Sequence, residues 1–169
     1  MKGVQDQLKT SNADVRWEPT EKMHATIKFL GNVEERRLSG ITEKLAKIIG
    51  KHAPFHLTLA SLGCFPNLRH PRVVWAGLTN DDGQLELVKT AIDVDLLPEG
   101  FEIDDKEFHP HVTLGRINSP NGIAQLTSLL KTVTFVPISF RATEIVLMRS
   151  VLKPGGSEYS VLHSLHLAG

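Results

Sequence analysis

One cysteine, Cys64, stands in 169 residues. That excludes an internal disulfide and any zinc cluster built on cysteine, and it agrees with a reducing compartment. Excess charge of either sign is also lacking, since nineteen lysines and arginines balance nineteen aspartates and glutamates. No global field therefore draws the chain to long nucleic acid or an anionic membrane, although a small anion held by local groups is still allowed. There is no apolar run near the length of a membrane span and no charged-then-apolar leader, so the expectation is a soluble, cytoplasmic protein without membrane association. What remains is ordinary for a globular chain, 41% apolar and 22% charged, and long enough to bury a substantial core.

The pattern along the chain alternates extended and helical pieces. Residues 1–12 read as a short polar helix and "DVRWE" (14–18) as a short extended piece stopped by Pro19. "MHATIKFL" reads as a strand ending at Gly31-Asn32. Leu38, Ile41, Leu45 and Ile48 then mark an amphipathic helix. "FHLTLASLGCF" and "VVWAGL" read as strands around the loop "PNLRHPR", and Leu85, Val88, Ile92 and Leu96 mark a second helix. "PHVTLGRI" is the next strand, followed by a helix through Ile123, Leu126 and Leu130. Two late strands, "ISFRATEIVLMRSVL" and "SEYSVLHSLHL", flank a hairpin signal at Pro154-Gly155-Gly156. The order strand, helix, strands thus occurs twice, which predicts an α+β protein of two similar lobes.

Two stretches share a polar pair, His24/Thr26 in "MHATIKFLG" and His111/Thr113 in "PHVTLGR", roughly half the chain apart. In a strand, residues i and i+2 face the same way, so each pair presents an imidazole beside a hydroxyl. Two imidazoles suit the hydrolysis of a phosphodiester. One takes a proton from water, the other gives one to the departing oxygen, and an unperturbed pKa of about 6.5 lets imidazole do either at neutral pH. Hydroxyl donors can hold the non-bridging oxygens where charge spreads in the transition state, and no metal is required. The expected arrangement sets the two histidines on opposite lobes. A single His-x-Thr is ordinarily a half-buried histidine bonded to backbone; the second copy, again leading into a helix, brings the paired site level with that reading.

"HATI" and "HVTL" also match the two His-hydrophobic-Thr-hydrophobic motifs of the 2H phosphoesterase superfamily. The run from Trp17 through His24, Thr26, Lys28, Phe29, Leu30 and Gly31, together with "FHPHVTLGR" and "LMRSVLKPGGSEYSVLHSLHL", resembles the bacterial and archaeal RNA 2′,3′-cyclic phosphodiesterases, also labelled 2′-5′ RNA ligases. The resemblance spans about residues 14–167. It implies one two-lobed domain over residues 1–169, with two antiparallel sheets around a central cleft and helices outside; the chain departs from the family in its first N-terminal strand, which is expected to be either absent or clipped at the start. It implies opening of a terminal 2′,3′-cyclic phosphate to a 2′-phosphomonoester, with no metal or cofactor, on RNA ends or nucleotides. By position, His24 matches the proton donor to the 3′ oxygen and His111 the base that activates water, although the sequence does not fix that direction. Thr26 and Thr113 match the phosphate-binding hydroxyls, and Arg116 the arginine that clamps phosphate.

Other readings stay open. The chain could be a nucleotide-binding module that no longer turns over, an enzyme of the same mechanism on a small cyclic phosphate, or a 2′-5′ ligase. The absent strand would leave a sheet edge available for pairing, so the oligomeric state is open. Lys28 is expected either to help hold phosphate or to lie solvated at a strand end. Phe29 and Trp75 are expected in the core, and Arg69, His70 and Arg72 form a small basic loop.

Overall fold

The computed structural model describes residues 1–154 and 156–168. Four helices and seven strands follow in the order α1 (Lys2–Lys9), β1 (Val15–Trp17), α2 (Leu38–Ile49), β2 (Phe55–Phe65), β3 (Val73–Thr79), α3 (Gln84–Leu96), β4 (His111–Ile117), α4 (Ile123–Thr132), β5 (Ile138–Ala142), β6 (Glu144–Lys153) and β7 (Gly156–His166). The chain divides into two compact units. The first is built from residues 1–26, 58–79 and 109–139, the second from 27–57, 80–108 and 140 onward.

The first unit is organised on a sheet of order β1-β4-β3-β2-β5, antiparallel where β1, β4, β3 and β2 pair. One face of its strands is apolar and closed: Val74, Ala76 and Leu78 on β3 and Val112 and Leu114 on β4 are buried. Helices α1 and α4 pack on each other and bury Val4, Leu8, Leu126 and Leu130. Each such side chain contributes about 1.5–3 kcal/mol relative to leaving it in water. The buried amide of Gln5 ties α1 to the sheet, donating through Nε2 to the Leu114 carbonyl at 2.9 Å and the Glu18 carbonyl at 2.8 Å. Cys64 lies among this buried apolar set, and burial pushes its thiol up, which keeps it protonated and inert.

In the second unit α2 packs on α3 and on β7. Ile41, Leu45, Ile48 and Ile49 of α2 and Leu85, Val88, Ile92 and Leu96 of α3 form the buried stripes, at the three- and four-residue spacing that the sequence announces. Helix α3 starts where Asn80 Oδ1 accepts the Leu85 N–H at 2.8 Å and Asp82 Oδ1 accepts the Gln84 N–H at 3.1 Å, satisfying donors that the first turn leaves over. β6 and β7 form a two-stranded antiparallel sheet whose last pair is Lys153 with Gly156. The expected hairpin is therefore present, although Gly155 of its turn lies outside the described residues.

Two expectations need correction. The stretch "MHATIKFL" is not a strand; it makes one isolated antiparallel bridge, Ala25 with Val112. The late stretch "ISFRATEIVLMRSVL" is two strands rather than one, interrupted at Thr143, with β5 in the five-stranded sheet and β6 paired to β7.

Candidate active site

The second motif lies on β4, an interior strand of the sheet. His111 pairs with Gly77 and Thr113 with Trp75, while Val112 pairs with the fully buried Ala76. His111 and Thr113 therefore share the face opposite the helix-packed core. The bridge between Ala25 and Val112 brings the first motif to the same strand. In the antiparallel register centred on that bridge, His24 lies opposite Thr113 and Thr26 opposite His111, on one face. All four residues belong to the first unit. The expectation of one histidine on each lobe is thus corrected: a single strand, β4, gathers both pairs.

The two imidazoles are held alike. His24 Nδ1 is 2.8 Å from the carbonyl of Lys22, and His111 Nδ1 is 2.7 Å from the carbonyl of His109. A carbonyl only accepts, so in each ring Nδ1 carries the hydrogen and donates it. The chemistry of either ring then falls to Nε2, a lone pair in the neutral ring and an N–H donor in the charged one. A backbone partner two residues upstream in both cases also fixes the ring direction.

Arg116 reaches this face by a device that the sequence hides. Five residues after His111 it would lie on the opposite face of a regular strand. The β3–β4 register shifts, passing from Trp75/Thr113 to Val74/Gly115, and leaves Leu114 as the extra residue of a bulge. Arg116 then pairs with Val73, two residues from Trp75 on β3, and so rejoins the face of His111 and Thr113.

Aromatic packing around His111 was not legible in the sequence. Phe65 meets the His111 ring edge to face, with centroids 4.9 Å apart, and Trp75 packs on Phe65 at 5.2 Å. A hydrogen-bonded imidazole with a phenyl against it has little freedom to swing. Gly63 makes room for this arrangement, since a Cβ there would sit 2.3 Å from two atoms of the Trp75 ring. A glycine inside a strand is the one local signal of such a close approach.

Three further side chains depart from expectation. Lys28 neither faces a phosphate site nor lies in solvent. Its ammonium is buried and bonded to Asp93 Oδ1 at 2.6 Å and to the Glu102 carbonyl at 2.7 Å, all within the second unit. Phe29 is not core; 74% of it is exposed. Trp75 is half-buried on the histidine face instead of among the helix-facing residues, and its Nε1 is buried without a hydrogen-bond partner among the described residues. Arg69, His70 and Arg72 are exposed, as a basic loop would be. Among the described residues no group of three or more His, Cys, Asp or Glu is placed to hold a metal ion, and no helix is long and apolar enough to cross a membrane.

A family model described as LigT-like phosphoesterase matches residues 2–75 and 78–159. The chain belongs to the LigT-like phosphoesterase family. The RNA 2′,3′-cyclic phosphodiesterase of Methanothermobacter thermautotrophicus is 32% identical over 165 residues, which cover 97% of this chain and 89% of that protein. Among solved structures, TT0787 of Thermus thermophilus superposes with a TM-score of 0.76 at 23% identity, covering 99% of this chain and 93% of that one. E. coli LigT complexed with 3′-AMP superposes with a TM-score of 0.73 at 24% identity, covering 100% and 94%. The α+β fold of this chain is that of the LigT-like phosphoesterases, and both histidine motifs lie within the matched spans.

Proposed function

We propose that this LigT-like phosphoesterase hydrolyses 2′,3′-cyclic phosphates at RNA ends or on nucleotides to 2′-phosphomonoesters; the M. thermautotrophicus relative is named an RNA 2′,3′-cyclic phosphodiesterase. What supports the reading is the pairing of β4, which sets His111, Thr113 and Arg116 on one face and, through the bridge of Ala25 to Val112, brings His24 and Thr26 alongside, with each histidine held through Nδ1. His111 Nε2 takes a proton from water as the water oxygen bonds to phosphorus. The bond from phosphorus to the 3′ oxygen breaks, and charged His24 gives its Nε2 proton to that oxygen. The 3′ hydroxyl leaves free and the phosphate stays on the 2′ oxygen. His111 ends protonated and His24 neutral, and exchange with solvent resets both. Thr26, Thr113 and Arg116 hold the non-bridging oxygens through donors that strengthen as charge develops there.

General acid and general base are each worth ~10²–10⁴ in rate. The test is a nucleoside 2′,3′-cyclic phosphate incubated with the protein in EDTA, with the product read by phosphorus NMR. The expected result is 2′-phosphate, lost in His24→Ala and in His111→Ala while far-UV circular dichroism shows both variants folded. Turnover that survives either substitution, or that EDTA abolishes, refutes the mechanism.

A further inference from the structure

β1 is an edge strand of three residues, and its middle residue carries a charge that the two motifs leave unused. Arg16 pairs directly with Arg116 across β1 and β4, and Val15 and Trp17 pair with Ile117 and Gly115. Directly paired residues share a face, so Arg16 joins Arg116, Thr113 and His111 on the histidine side. The glycine between confirms the parity: a Cβ on Gly115 would meet Val15 and Trp17, which therefore point the other way from Arg16.

Like charges directly opposite each other in a sheet are unfavourable. Both guanidiniums are exposed, and among the described residues neither makes an ion pair. The two nearest carboxylates in sequence do not relieve the pair. Asp14 Oδ1 accepts from Asn118 Nδ2 at 3.0 Å, and Glu18 has no ion pair among the described residues. Two adjacent forks of N–H donors with no carboxylate between them form a site for phosphate oxygens. Arg116 stands about 7 Å along the sheet from Thr113, the span of Trp75 to Val73 on β3 at ~3.3 Å per residue, because the bulge at Leu114 takes up the third residue. Arg16 lies one strand spacing farther out, ~4.8 Å, at the sheet edge. One terminal phosphate occupies the end of this row nearer the histidines, and the outer guanidinium is left for the next anion along the substrate.

We propose that Arg16 binds the phosphate adjoining the terminal one, so that the site selects RNA ends of two or more nucleotides over a single cyclic nucleotide. The inference rests on the hydrolysis of cyclic phosphates proposed above. No residue of either histidine motif supplies this contact, and its ligand is an internucleotide phosphate diester.

The test compares two substrates with the same terminal base: a nucleoside 2′,3′-cyclic phosphate, and a dinucleotide with one internucleotide phosphate, a 5′ hydroxyl and a terminal 2′,3′-cyclic phosphate. Arg16→Ala is expected to lose about tenfold more kcat/KM on the dinucleotide than on the mononucleotide, through KM, as loss of one charge-assisted hydrogen bond predicts. Arg16→Lys should recover part of that difference. The logarithmic dependence of the dinucleotide KM on salt should also become shallower by ~0.7, the share of one contact to a single strand. Equal losses on both substrates, or an unchanged salt slope, would overturn the proposal. Wild-type protein that opens neither substrate would overturn the cyclic-phosphate reading itself, and the assignment of Arg16 with it.

Discussion

Substituting Asp93 by alanine probes the most buried charges of the molecule. Asp93 lies on α3 with its side chain 8% exposed, between Lys28 at 4% and Lys89 at 9%. Lys28 meets Oδ1, Lys89 meets Oδ2, and Lys89 also reaches Asp104 at 3.3 Å and the face of the Phe108 ring at 5.7 Å. Removing one partner of a buried ion pair costs ~3–5 kcal/mol, because the other charge is left uncompensated. Here the low end applies: Lys28 keeps the Glu102 carbonyl and Lys89 keeps Asp104. The expected loss for Asp93→Ala is about 3 kcal/mol, and for a chain of this size that lowers Tm by roughly 6–12 °C. Urea unfolding followed by circular dichroism, with m unchanged, measures it. Adding Lys28→Met to Asp93→Ala should return part of the loss, since the orphaned charge then leaves as well. A loss under about 1 kcal/mol, or no recovery in the double variant, would refute the claim that these charges are held dry. The pH dependence has a definite sign. Burial by itself raises the Asp93 carboxyl, but the hydrogen bonds and charges of Lys28 and Lys89 outweigh it and hold the group below its ordinary value of 3.8. The stabilisation is therefore complete above the ordinary carboxylate range. It is lost as pH falls through 3.8 toward the lowered folded value, where the unfolded chain takes up a proton first.

Further outcomes follow from the same geometry. Under the proposed mechanism kcat/KM should trace a bell against pH, because that mechanism uses one neutral and one charged imidazole; a profile without both limbs would refute paired histidine catalysis. Gly63→Ala should destabilise by about 1–3 kcal/mol through its clash with the Trp75 ring, and should lower kcat more than it raises KM, since Trp75 backs the Phe65 ring that packs on His111. Arg116→Ala should lower kcat/KM roughly tenfold or more, with Arg116→Lys in between, because a point charge replaces a two-pronged donor. Wild-type kinetics in Arg116→Ala would show that the bulge does not aim the guanidinium at the substrate.

Short-range pattern determined most of the secondary structure. The stripes of α2 and α3 were plain because apolar residues recurred at helical spacing, and all of those residues are buried except Leu38, at the start of α2, which is half-buried. The candidate residues were also legible, since a repeated His-x-Thr pair is a local pattern and residues two apart share a face. Period-two reasoning failed wherever pairing was irregular. It read a strand at "MHATIKFL", where one bridge suffices, and it ran β5 and β6 together across Thr143. It also placed Phe29 in the core, although most of that ring is exposed.

The sequence by itself determined which residue types are present and how they are spaced, and so the chemistry on offer: two imidazoles, two hydroxyls and an arginine. Only tertiary structure decided that both pairs meet on one strand, because the bridge of Ala25 to Val112 joins residues far apart in the chain. It alone turned Arg116 to the histidine face, since a bulge is set by how β4 pairs with β3 rather than by any motif within β4. It also buried Lys28 against Asp93, a partner that no local rule names. Faces and partners belong to register, and register is a property of two strands together.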